Sequence, residues 1–432
     1  MTTFDIASVL AGLAALLGYV NHRFLRLPAT IGVLALTLAG AVLLLVLEWL
    51  APGWQLGGRL AAFSARIDFN ALLMRSMLGL LLFAGALHVG VQELLANRWT
   101  IAALATVGVA ISTAVVGAAA WAVFHFLGLG IPLAVCFAFG AIVSPTDPVA
   151  VIGMLKRLRA PKDLEATIAG ESLFNDGVGV VAFLALASIA GLSGGPQLSG
   201  EHLHPAGVAW LLLREAGGGI VLGLAAGYAA YRALRSIDYR ELELLITLAL
   251  AMVVYSVSFP LGVSGPIAVV VAGLVIGHYG RQFAMSRRTI EHVDAFWGMV
   301  DDILNAVLFL LIGLEVFSTR LTLPTAIAAA VMIPIALGAR FVSVALPVFL
   351  FRLRSSHPGL VPILTWGGLR GGLSLAMALS LPHLPVRDTL IGCTYGIVVF
   401  SILAQGMTMR GMLRRFGIMP GGEAEAAVKD RI

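Results

Sequence analysis

The chain has 432 residues, of which 59% are hydrophobic and 12% charged, with a mean hydropathy of +0.97 and a formal net charge of +5. A soluble domain carries about 25% charged residues, so this composition excludes one and describes a polytopic membrane protein. The positive balance is a loop property rather than a nucleic-acid signal, as its distribution shows below. Cys136 and Cys393 both fall in apolar stretches and read as buried free thiols. They provide neither metal spacing nor a secreted disulfide framework.

A bilayer span needs about 20 mostly apolar residues. Such segments are predicted at 4–20, 29–50, 70–89, 99–126, 131–154, 164–191, 206–234, 241–259, 263–280, 293–317, 322–351, 359–382 and 388–413. The fold class is therefore all-α with about 13 transmembrane helices. The N-terminus has Asp5 and no basic stretch, so the first segment reads as a retained helix rather than a cleaved signal. The stretch 51–69 contains RLAAFSARIDF, a pattern that suits a short interfacial helix. The Gly/Ser/Pro-rich loop 191–205 reads as the connector of two halves.

Lys and Arg alternate between the loops. Arg23, Arg26, Arg98, Lys156, Lys162, Arg235, Arg240, Arg287, Arg288, Arg352 and Arg415 fall on one side, and few fall on the other. The positive-inside rule makes that side cytoplasmic, with the N-terminus outside and the C-terminus inside. Merging the eighth and ninth segments across Pro260 would give twelve spans and place successive basic loops on opposite faces.

The chain is organised around residues 140–180, where two apolar segments each carry an acid: Asp147 in SPTDP and Asp176 in ESLFNDG. A charge at mid-bilayer costs at least about 2.5–3.5 kcal/mol, so such acids are functional candidates. Asp147 lies between Pro145 and Pro148, which removes backbone donors and predicts a helix broken beside its carboxylate. A second break is predicted at WGGLRGG, where Gly367, Gly368, Gly371 and Gly372 surround Arg370. The breaks fall in the fifth and twelfth spans. That odd offset implies opposite orientation, and so inverted repeats with two broken crossing helices.

On a helix, Ser172, Asn175 and Asp176 share one face. With Asp147 and Thr146 from the first break they form an all-oxygen set suited to a hard cation such as Na⁺. No His or Cys joins them, which argues against zinc, copper or iron. Ser172 has the alternative of bonding its own helix backbone. Arg340 in the eleventh span either pairs with Glu171, which points away from the Ser172/Asp176 face, or snorkels to the membrane surface. Arg370 either caps free carbonyls in its own break or faces water. Asp301, Asp302 and Asn305 either line a cytoplasmic access funnel or sit as helix-end charges. His88 reads as a packed or interfacial histidine rather than a pH sensor.

The segments SPTDPVAV at 144–151, GESLFNDGVGVV at 170–181, DDILNAVLFLLIGLE at 301–315 and WGGLRGGLSLAMALSLP at 366–382 carry a resemblance. Over about residues 5–415 the chain resembles the electroneutral sodium/proton antiporters related to the animal exchangers. The resemblance implies a homodimer in the plasma membrane, the inner membrane of a bacterium. It implies a dimerisation domain at 1–98 and 241–320, a core transport domain at 99–191 and 321–415, a linker span within 192–240 and a short cytoplasmic tail at 416–432. It further implies Na⁺ ligation by Thr146, Asp147, Ser172 and Asp176, with Asn175, Glu171, Arg340 and Arg370 in support. One departure stands out. Many relatives read Phe-Glu-Gly-Ala-Leu-His in the third span, whereas here Ala84 takes the place of the acid.

The expected function is antiport of Na⁺, or of Li⁺ or K⁺, against H⁺, with the cation and proton competing at a buried aspartate. No cofactor, enzymatic activity or nucleic-acid partner is expected. The alternatives are a K⁺/H⁺ antiporter, a cation channel or an intramembrane hydrolase. A serine hydrolase needs a base near its nucleophile, and the fifth, sixth and twelfth spans contain no His.

Overall fold

The computed structural model describes residues 3–50, 68–69, 71–157, 160–192, 205–317, 322–351, 359–382, 384 and 386–416. All but residues 68 and 69 of the stretch 51–69 expected to hold an interfacial helix, most of the 191–205 connector and the tail beyond 416 lie outside the described residues.

The described residues are helical, with no strand beyond one isolated bridge. The elements are α1 (Thr3–Val20), α2 (Ala29–Leu50), α3 (Ala71–His88), α4 (Arg98–Phe126), α5 (Leu133–Val143), α6 (Val149–Arg157), α7 (Lys162–Ile189) and α8 (Pro205–Arg235). They continue with α9 (Arg240–Leu261), α10 (Gly265–Val275), α11 (Arg287–Leu314), α12 (Leu323–Leu350), α13 (Leu360–Gly367), α14 (Gly372–Leu379) and α15 (Arg387–Arg415). Each apolar segment read from the sequence falls on one or two of these helices. Among the described residues, eight are long and apolar enough to cross a membrane, so this is an integral membrane protein.

The cut expected near Pro260 is present. Pro260 sits within the last turn of α9, and the helix stops at Gly262, whose φ of +63° is a left-handed conformation that glycine adopts freely. Ser264 then caps α10 by accepting from Ile267 N–H at 3.4 Å.

Two sets of helices pack among themselves. In one, α5 packs on α4 and α7, α12 on α4, α13 and α15, and α14 on α15. In the other, α10 packs on α3, α8 and α9, and α11 on α1, α2 and α3. Small residues set the closest approaches. A Cβ on Gly140 of α5 would overlap the Thr113 carbonyl of α4. Gly219, Gly223 and Gly227 of α8 recur every fourth residue and lie against Ser264, Ala268 and Val275. Lipid supplies no hydrophobic drive between helices, so association relies on such backbone proximity.

Candidate functional site

The two breaks cross. Helix α5 ends at Val143, and residues 144–148 form no regular helix before α6 begins. Between α13 and α14 the chain is likewise open at Gly368–Gly371, with Gly371 extended at φ −121° and ψ −161°. Asp147 N–H donates to the Leu369 carbonyl at 2.8 Å, the single strand-like bridge at the crossing. Asp147 then turns its carboxylate back to accept from Val149 N–H at 2.9 Å, capping the first turn of α6. Each break thus satisfies backbone groups freed in the other, as a membrane interior demands.

Arg370 is buried, and it completes this exchange across the crossing rather than within its own break. Its guanidinium donates to the Ser144 carbonyl and, at 2.9 Å, to the Pro145 carbonyl. Arg370 N–H donates to Ser401 Oγ at 2.9 Å, and Gln405 Nε2 donates to the Trp366 carbonyl at 3.0 Å. Ser401 and Gln405 on α15 were missed from the sequence. Their only signal is a polar pair spaced one turn apart in an apolar segment.

Helix α7 lies against the first break, close enough that a Cβ on Gly179 would overlap the Pro145 ring. Asn175 Oδ1 accepts from Thr146 N–H at 3.2 Å, and its Nδ2 donates to Thr146 Oγ1 at 2.7 Å and Glu171 Oε1 at 3.1 Å. Thr146 and Ser172 share a hydroxyl hydrogen bond of 3.2 Å. Ser172 therefore bonds across to the break instead of to its own helix backbone. Arg340 forms a two-point ion pair with Glu171, at 2.6 Å and 2.7 Å, and its Nε donates to the Leu364 carbonyl at 3.2 Å. Both side chains are buried, so Arg340 does not snorkel. Bidentate geometry is the strong form of this pair.

Asp176 is the exception within this network. Its carboxylate accepts no hydrogen bond and joins no ion pair among the described residues, and it lines a cavity of about 1360 Å³. That cavity reaches from Arg26, Lys156, Lys162 and Arg410, all in or beside basic loops, to Thr146, Asp147 and Asp176 at the crossing. Asp301, Asp302, Asn305 and His88 line it as well, so Asp301 and Asn305 are wall residues rather than helix-end charges. Ala84 lines it too, so an acid at that position would face the same space. His88 Nδ1 lies 2.7 Å from the Ala84 carbonyl and its Nε2 lies 3.6 Å from Asp294.

The second break also presses on the first aspartate: a Cβ on Gly371 would overlap the Asp147 carboxylate. Gly371→Ala is expected to displace that carboxylate and lower transport at least about tenfold, since small misplacements of a positioned group have effects of this size or larger. Transport assays beside thermal unfolding of the purified variant check it. Wild-type exchange would show that Asp147 is not held by this contact.

The comparisons with known proteins agree with this architecture. The sodium/hydrogen exchanger transmembrane family matches residues 12–415. The chain is 43% identical over 417 residues to the Na⁺/H⁺ antiporter NhaP of Pseudomonas aeruginosa, covering 95% of this chain and 96% of that one. It is 35% identical over 355 residues to the Na⁺/H⁺ antiporter NhaH of Halobacillus dabanensis, covering 81% and 84% of the two chains. Its fold superposes on the sodium proton antiporter MjNhaP1 of Methanocaldococcus jannaschii with a TM-score of 0.71 at 19% identity, over 95% of this chain and 97% of that one. With a family match across almost the whole chain and a full-length relative at this identity, the chain belongs to the sodium/hydrogen exchanger transmembrane family.

Proposed function

We propose that the chain is a secondary antiporter that exchanges Na⁺ for H⁺ across the bacterial inner membrane, with Asp176 as the shared carrier. The observation that carries this reading is the cavity that ends on Asp147 and Asp176 at the crossing of two broken helices. The relatives named as Na⁺/H⁺ antiporters support the choice of ions. Na⁺ is held by Thr146, Asp147, Ser172 and Asp176, all oxygen donors, and a proton competes with it on Asp176. Because the cavity is walled at one end by basic-loop residues, this is the inward-facing state, with the C-terminus cytoplasmic.

Coupling then needs no relay. The carrier crosses with either a cation or a proton aboard, because a bare carboxylate is costly to move through an apolar barrier. The two helix sets supply the moving parts. Residues 1–98 and 241–320 form the scaffold of a homodimer, and residues 99–191 and 321–415 form the core that moves against it. Glu171 and Arg340 act within the core as structure, since each satisfies the other and neither lines the cavity.

Purified protein in proteoliposomes carrying a pH-sensitive dye tests the reading, with Na⁺, Li⁺ and K⁺ added in turn. Proton movement driven by Na⁺ is expected; movement driven by K⁺ alone would replace sodium with potassium as the cargo. Exchange is expected to be electroneutral at one Na⁺ per H⁺. Position 175 is Asn and position 84 is Ala, so two places where a second proton-carrying acid could sit are neutral. Clamping the potential with K⁺ and valinomycin should leave the Na⁺/H⁺ equilibrium unchanged. A shift with potential would show that Asp147 or another acid carries an additional proton.

A further inference from the structure

Helix α11 carries a feature that the Asp176 site does not use. Asn305 is 2% exposed, and its Oδ1 has no hydrogen-bond partner among the described residues. Its Nδ2 donates to Asp301 Oδ1 at 3.0 Å. A carboxylate only accepts, so Asp301 holds the amide with nitrogen toward itself and oxygen directed elsewhere. Leaving a buried carbonyl oxygen without a donor costs about 1–3 kcal/mol, so such a group calls for an explanation. Asn305 lines the cavity with Asp301 and Asp302.

The facing helix repeats the feature. Ser374 of α14 is 1% exposed, its Oγ is also without a partner among the described residues, and it lines the same cavity. The two helices touch where Leu308 meets Gly372, two residues before Ser374. Asn305 lies three residues before Leu308, one turn nearer the basic end of α11 at Arg287 and Arg288. Asp301 is a further turn along, within the field of both Asp147 and Lys156.

We propose that Asn305 Oδ1 and the Asp301 carboxylate form a second monovalent-cation site, with Ser374 Oγ contributing from α14, where the cation is loaded before it reaches Asp176. A carboxylate, an amide oxygen and a hydroxyl are the donors a hard cation prefers. Two of the three are buried oxygens with no partner among the described residues, which the cation would satisfy. The site straddles a helix of each packed set, so it is whole only while α11 and α14 stay in contact. It favours loading from the cytoplasmic cavity. This inference rests on the reading that Na⁺ is the cargo.

Binding of ²²Na⁺ to the full-length protein in detergent, read by scintillation proximity, tests it. Wild type is expected to saturate at two Na⁺ per chain and Asp176→Asn at one. Adding Asn305→Ala to Asp176→Asn should weaken the remaining Na⁺ binding about tenfold, and Asn305→Asp, which keeps an oxygen there, should retain it. A purely structural Asn305 would not show that rescue. In everted vesicles, Asn305→Ala should raise the KM for Na⁺ about tenfold with Vmax within about twofold, the loss expected for one ligand to a charged group. Saturation of wild type at a single Na⁺, or binding in Asp176→Asn that Asn305→Ala leaves untouched, overturns the proposal. Continued Na⁺/H⁺ exchange by Asp176→Asn would instead overturn the assignment of the carrier, a separate outcome.

Discussion

Asp176→Asn is expected to abolish Na⁺-dependent proton movement while leaving the fold intact. Asn preserves the size and shape of the side chain but cannot take up or release a proton. The substitution should be structurally mild, because Asp176 has no hydrogen bond or ion pair among the described residues to lose. Its neighbours Asn175 and Glu171 keep their bonds to Thr146 and Arg340. Proton flux in proteoliposomes should fall to the level of empty vesicles, while thermal unfolding of the purified protein moves little. Flux near wild type would remove Asp176 from the mechanism.

The second large effect is on stability. Glu171→Ala or Arg340→Ala alone should each destabilise the protein by about 3–5 kcal/mol, because each leaves a buried charge without its partner. The geometry makes Glu171 the more damaging loss, since its Oε1 also accepts from Asn175, whose amide holds the first break. Among the described residues, Arg340 would retain the Leu364 carbonyl alone. Removing both partners should be milder than removing either, because no unpaired charge remains. Thermal unfolding of the two single variants and the double variant, followed by size-exclusion chromatography after heating, checks the cycle. A double variant no more stable than the worse single would show that the pair is not the source of the loss.

What the sequence alone determined follows from local rules. Apolar length sets where helices form, Pro145 and Pro148 break one of them, and the glycines around Arg370 break another. These effects act within a few residues of their cause, so they are legible in one dimension. The acids at 147 and 176 were conspicuous for the same reason, as charges in segments that otherwise carry few. The cut near Pro260 was legible in the sequence, but which residue makes it was not. Both residues punctuate helices, and only the left-handed φ of Gly262 separates them. Tertiary structure decided what depends on neighbours far along the chain. Arg370 serves the carbonyls of Ser144 and Pro145, more than two hundred residues away, because the crossing brings one break's donors to the other's acceptors. Asp301 and Asn305 are cavity walls rather than a helix end because α11 packs against α14 at Leu308 and Gly372. Asn305 Oδ1 has no partner among the described residues while Asp301 binds the other end of its amide. Spacing indicates which residues share a helix face, but only packing determines what that face meets, and a buried polar atom takes its role from what it meets.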